Sequence, residues 1–155
     1  MRPARVRGYL TPSDFEKVYR WKSPRALRYI KSNSAARIRS APKRALATRN
    51  ERRRLDALLV LRGVSVPMAS AILMLVDPQR DGVIDIRVWQ ILHAIGAVTK
   101  KPSGVGFIFA NWYQFLMILR HLSKTLGVKA RDVEEALFVA HNEHQKGRLY
   151  LESGT

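Results

Sequence analysis

Two features near the middle of the chain have residue types and spacing suited to chemistry. The first is the run Leu61-Arg62-Gly63-Val64-Ser65-Val66-Pro67-Met68-Ala69. Gly63-Val64-Ser65 forms a tight turn between two helical patterns, and glycine lets the backbone turn and be approached closely. N–H groups near Gly63, Ser65 and Met68, at the start of a helix opened by Pro67, suit a phosphate. Arg62 adds a charge at the same place. The second feature is Asp85, about twenty residues further on, at the head of a pattern with Val88, Trp89, Ile91, Leu92 and Ile95 inward. Aspartate is a good helix cap. The same carboxylate is suited to stabilising positive charge in a reacting centre, and the two roles are compatible.

A third cluster is Trp21-Lys22-Ser23-Pro24-Arg25. A tryptophan beside two cations suits stacking on a base or contact with phosphates. The plainer reading has Trp21 joining two helices while Lys22 and Arg25 meet solvent. Trp89, Trp112 and Tyr113 recur at helical spacing and read as core. Phe107 and Phe109 also read as buried, with a wedge into a duplex as the alternative.

Other chemistries find little support. The absence of cysteine excludes disulfides, thiolate metal sites and a cysteine-held iron–sulfur cluster. His93, His121, His141 and His144 form no metal motif, and no phosphate-loop or metalloprotease signature occurs. The run Asp77, Gln79, Asp81, Gly82, Ile84, Asp85 partly matches a calcium loop. Val88 stands where that loop needs a bidentate glutamate, which argues against calcium.

The elements that must position these residues are all helical in pattern. Thr11-Pro12-Ser13-Asp14 has capping-box spacing. Ser23-Pro24 restarts a helix with Ala26, Leu27 and Ile30 inward. Ser34 opens another, interrupted or kinked at Pro42. Asn50-Glu51 begins the helix carrying Leu55, Leu58, Leu59 and Leu61, with Arg52 to Arg54 at its exposed start. Met68 to Val76 is apolar on nearly every side, which predicts burial. Asp85 opens the next helix, Gly96 ends it, and a loop over 97–108 precedes two amphipathic helices separated by Gly127. The expectation is an all-α, compact domain of about eight or nine helices spanning 1–155. Within it, 1–10 reads as a loose basic arm, 51–76 as helix, hairpin and helix, and 146–155 as a frayed tail.

The net charge is +16, and residues 1–60 hold 17 Lys/Arg against four acids. That asymmetry makes the amino-terminal part the polyanion-facing half. No apolar stretch reaches membrane-spanning length and no signal-peptide pattern follows the first residues. A soluble, cytoplasmic protein is expected, nucleoid-associated in a prokaryote.

The segment Leu61–Leu73 with Val83-Ile84-Asp85-Ile86-Arg87-Val88 resembles the endonuclease III-like base-excision DNA glycosylases. Their pattern runs L-P-G-V-G-x-x-T-A, an apolar helix, then V-D-T-H-V. The resemblance implies a helix-hairpin-helix fold, double-stranded DNA as partner, and a monomer. It implies that Arg62, Gly63, Val64, Ser65, Val66 and Met68 contact DNA with Lys22, Arg25 and Arg87. Asp85 falls on the family's catalytic aspartate, which stabilises charge on the deoxyribose or positions the attacking water. An enzyme of this kind flips its target base into a pocket, for which Trp21, Lys22 and Trp89 are the candidates. Lyase members carry a lysine just after the hairpin. Pro67 stands there, which implies base removal without strand cleavage, with Lys22 a weaker alternative source of an amine. The family's histidine is Arg87 here. No cofactor is expected beyond a possible monovalent cation on the hairpin carbonyls. Alternatives are a non-catalytic DNA-binding module in which Asp85 only caps a helix, and an RNA-binding protein.

Overall fold

The computed structural model describes residues 2–152. Every regular element among them is helical: α1 (Arg2–Arg7), α2 (Pro12–Lys22), a 3-10 turn (Pro24–Ala26), α3 (Leu27–Ile30), α4 (Ala35–Leu46), α5 (Glu51–Leu59), α6 (Val66–Val76), α7 (Ile86–Ala94), α8 (Phe109–Leu126) and α9 (Ala130–Glu152). The helix starts follow from their caps. Thr11 and Asp14 form a capping box, and Ser34, Asn50 and Asp85 each accept a first-turn N–H through the side chain. Gly127, in the left-handed conformation, closes α8.

The apolar helix α6 is the centre on which α1, α2, α5 and α8 pack. It is buried nearly all round, as its composition requires. Helices α7, α8 and α9 form a second group, with α9 against both others. One main core runs through both groups, with Phe15, Tyr19, Leu55, Ile72, Trp89, Trp112 and Phe115 essentially inaccessible. Side chains of this size each contribute roughly 1.5–3 kcal/mol on burial.

Several expectations change. The 1–10 segment is not a loose arm. Arg2–Arg7 is helical, Ala4 and Leu10 are buried, and α1 packs on α6. Two small apolar contacts suffice to seat it, and a short helix carries too little periodicity to be legible. The restart at Ser23-Pro24 is a 3-10 turn before α3, because Ser23 makes no capping bond. Pro42 lies inside a continuous α4. Helix α9 runs to Glu152 through most of the stretch expected to fray, and residues 153–155 lie outside the described part.

Arg54 is also not at an exposed helix start. It is buried and pairs bidentately with Asp81 at 2.6 and 3.2 Å, and with Glu51 at 2.6 Å. Arg120 of α8 donates to Glu51 at 2.6 Å and to the Arg80 carbonyl at 3.0 Å. This network ties the turn 77–82 to α5 and α8. Ala130 and Arg131 N–H donate to the Gln79 and Pro78 carbonyls, so the same turn seats the start of α9. Gly82 is required here, since a Cβ would collide with Leu119 of α8 and press on Glu134 of α9.

Candidate functional site

The hairpin between α5 and α6 is clamped from below by side chains. Asn33 is buried and donates to the Arg62 carbonyl at 3.0 Å, while its Oδ1 accepts from Arg62 N–H at 3.0 Å. Tyr19 donates its hydroxyl to the Gly63 carbonyl at 2.5 Å. Burial pushes the Tyr19 phenol well above its ordinary value, which keeps it a donor. Gly63 has φ +79°, and a Cβ there would lie 2.7 Å from Cβ of Tyr29. Glycine is therefore needed both for the conformation and for the close approach. The Arg62 and Gly63 carbonyls already accept these hydrogen bonds, so a cation at the hairpin would have to share them.

The upper side of the hairpin is open. Arg62, Gly63 and Ser65 are exposed, whereas the side chains of Val64, Val66 and Met68 turn into the core. Only the backbone of those three is presented. Ser65 makes no side-chain capping bond, so the first turn of α6 keeps its N–H groups without that internal acceptor. Basic residues gather nearby. Arg37 of α4 donates to the Val60 carbonyl at 3.0 Å. Arg28 stacks over Tyr29, the residue that Gly63 abuts.

Asp85 is set opposite. The buried Ser70 hydroxyl of α6 accepts from Ile84 N–H at 3.0 Å and donates to the Pro67 carbonyl at 2.7 Å, which fixes the segment entering α7. Asp85 Oδ1 then caps α7 through Val88 N–H at 2.9 Å. Its other oxygen, Oδ2, lies 3.8 Å from Nζ of Lys22 at the end of α2. Both side chains are about one-fifth exposed, at 21% for Lys22 and 19% for Asp85. Burial lowers the Lys22 amine from its ordinary value. The Asp85 and Glu134 carboxylates oppose that, while Arg131 and Arg87 add to it.

Lys22 and Asp85 line a cleft of about 640 Å³ whose other walls include Gly63, Ser65 and Pro67 of the hairpin and Gly104 and Phe107 of the 97–108 loop. The pair also borders a second cleft of about 600 Å³, toward α9, with Trp21, Arg87, Glu134 and Phe138. Trp21 is half exposed, at 52%, and Arg131 lies over its ring. Arg87 lies over Phe138. Glu134 is buried, and burial raises its carboxyl above the ordinary range despite hydrogen bonds from Arg131 and the Val83 backbone.

The structure therefore brings together Lys22, Asp85, Arg87 and the hairpin, with Trp21 alongside. Arg25 is exposed on the 3-10 turn and lines neither cleft. Trp89 does not belong to a base pocket. It is fully buried, its indole N–H donates to the Lys100 and Lys101 carbonyls at 3.1 and 2.9 Å, and its ring meets the edge of Phe107. An indole satisfied in this way anchors the 97–108 loop as core. The calcium reading fails on geometry, because Asp81 faces Arg54 and Arg120 while Asp85 caps α7. No group of three or more metal-ligating side chains occurs among the described residues, and none of their helices is long and apolar enough to cross a membrane. Sequence reasoning missed Asn33, Glu134, Arg131 and Phe138. No local motif marks them, and they reach the site through tertiary packing alone.

Comparison with protein-family models, with curated proteins and with solved structures found no match.

Proposed function

We propose that the protein binds double-stranded DNA over the hairpin and the basic surface beside it, and that it is a monofunctional, helix-hairpin-helix DNA glycosylase. In this reading it is a compact relative of the endonuclease III-like enzymes that acts as a monomer without an iron–sulfur cluster. The observation that carries it is the division of the Asp85 carboxylate. One oxygen caps α7 and the other faces an open cleft walled by the hairpin. Phosphates on the hairpin N–H groups and Arg62 would set the register of the strand. A nucleotide flipped out beside them would bring its sugar toward Asp85. The carboxylate would stabilise positive charge on the deoxyribose as the base leaves, or position the attacking water. The second cleft, with Trp21, Phe138 and Glu134, offers an aromatic face and a polar edge for the extruded base.

A second reading is a DNA-binding module in which Asp85 is only a cap. The complete cap bond to Val88 favours it, as does Arg87 in place of a histidine. Duplexes carrying uracil, thymine mispairs, oxidised or alkylated purines, or hypermodified cytosines test the two. Release of a free base from any of them supports the glycosylase. Duplex binding with no release across the panel supports the module. RNA outcompeting duplex DNA at physiological salt would move the assignment to RNA.

A further inference from the structure

The segment that resembles the glycosylases carries no amine where the lyase members have one, since Pro67 stands there. The fold supplies an amine from elsewhere. Lys22 ends α2, far away in sequence, yet its Nζ lies 3.8 Å from Asp85 Oδ2 inside the cleft beside the hairpin. Its stem runs through the half-buried junction of α2 with the entry to α7, and its reach into the cleft leaves the head group next to a carboxylate able to exchange protons with it. From this placement we infer that Lys22 is an imine-forming nucleophile for an aldehyde-bearing sugar, the ring-opened deoxyribose of an abasic site in duplex DNA. The inference rests on the DNA-binding part of the proposed function and not on base removal.

The chemistry balances without an oxidant, a reductant or a cofactor. Asp85 takes a proton from the Lys22 ammonium, and the neutral nitrogen attacks C1′ of the aldehyde to form a carbinolamine. Loss of the C1′ hydroxyl, protonated by Asp85 and leaving as water, gives the protonated imine. The regenerated Asp85 carboxylate then accepts a C2′ proton. Those electrons form the C2′–C3′ double bond as the C3′–O bond breaks, and the 3′ phosphate leaves with its electron pair. Water hydrolyses the conjugated imine, which frees Lys22 and leaves an unsaturated aldehyde on one strand end and a phosphate on the other. Arg87, which borders the same cleft, is placed to meet a phosphate of that strand.

The test uses the full chain with a duplex carrying one preformed abasic site, and cyanoborohydride to reduce any imine. Wild-type protein forms a covalent adduct whose modified peptide carries the sugar on Lys22, and without reductant it nicks the strand 3′ to the site. Lys22→Arg keeps the positive charge and the duplex affinity but lowers adduct yield by ~100-fold or more, because guanidinium cannot form the imine. Lys124→Gln, on the exposed end of α8, changes neither reading. Absence of a wild-type adduct, an adduct mapped to another amine, or undiminished trapping by Lys22→Arg would overturn the assignment. If the Lys22 variant does not fold, the mapped wild-type peptide decides alone. The two readings separate cleanly. Base release without trapping removes the imine site and leaves the glycosylase, whereas trapping without base release from any lesion removes the glycosylase and leaves the imine site.

Discussion

Asp85 is held on one side by the start of α7 and faces Lys22 on the other. That split lets its two roles be separated by substitution. Asparagine caps helices about as well as aspartate, whereas alanine costs roughly 1 kcal/mol. Asp85→Ala should therefore lower both stability and base release, while Asp85→Asn should lower release with little change in the denaturation midpoint. Equal destabilisation by both would show that the charge of Asp85 contributes to the fold. Lys22 is open to a second measurement at this scale. Burial, Arg131 and Arg87 hold its amine below the ordinary value against the pull of Asp85 and Glu134. Trapping of a preformed abasic site needs the neutral amine, so its initial rate should rise with pH and reach half-maximum below the ~10.4 of a free lysine. A half-rise at or above that value contradicts the placement. The Lys22–Asp85 meeting was not legible in the sequence, because it joins ends of α2 and α7 through packing rather than any local pattern. Trp89 was legible as core by its spacing, and its burial removes it from the base pocket.

At the scale of elements, the hairpin depends on Gly63. With φ +79° and Tyr29 2.7 Å from a would-be Cβ, Gly63→Ala should destabilise by ~1–3 kcal/mol in chemical denaturation. A neutral result would mean that the turn adopts another conformation. The turn 77–82 is held by the buried Arg54–Asp81–Glu51–Arg120 network. Arg54→Met leaves Asp81 buried without its bidentate partner and should cost about 3–5 kcal/mol. The same network gives a pH dependence. Burial pushes the Glu51 carboxyl up, but hydrogen bonds from Arg120 and Arg54 outweigh it, so it lies below the ordinary value. Its stabilising contribution is present above the unfolded value near ~4.3 and is lost as pH falls through the lowered folded value. Unfolding free energy measured downward from about pH 5 should fall less steeply for Glu51→Gln than for wild type. Equal slopes would remove Glu51 as a source of acid lability. The helices themselves were largely legible, since Thr11, Ser34, Asn50 and Asp85 announce their caps and α6 announces its burial by composition. The arginine triplet at 52–54 was misread because charge on a helix start says nothing about a partner supplied by a distant turn. The 1–10 segment was misread because Ala4 and Leu10 are too few to show a period.

For the molecule as a whole, charge and shape point to the same face. The basic excess lies in residues 1–60, and Arg28, Arg37, Arg62 and Lys22 from it stand beside the hairpin or in its cleft. A protein that neutralises several phosphates in this way should lose ~1,000-fold or more in duplex affinity between about 50 and 200 mM salt. A flat dependence in fluorescence titrations would contradict a phosphate-facing surface. The overall helical class was legible from periodicity alone. The two clefts on either side of Lys22 and Asp85 were not, because α9 and the 97–108 loop close them from distant parts of the chain. The most direct test of the whole account is base release by Asp85→Asn from whichever lesion duplex the wild type acts on, measured beside its affinity for that duplex. The account predicts release reduced by ~100-fold or more with affinity unchanged or tighter. Release at the wild-type rate, with the cap intact, would contradict it.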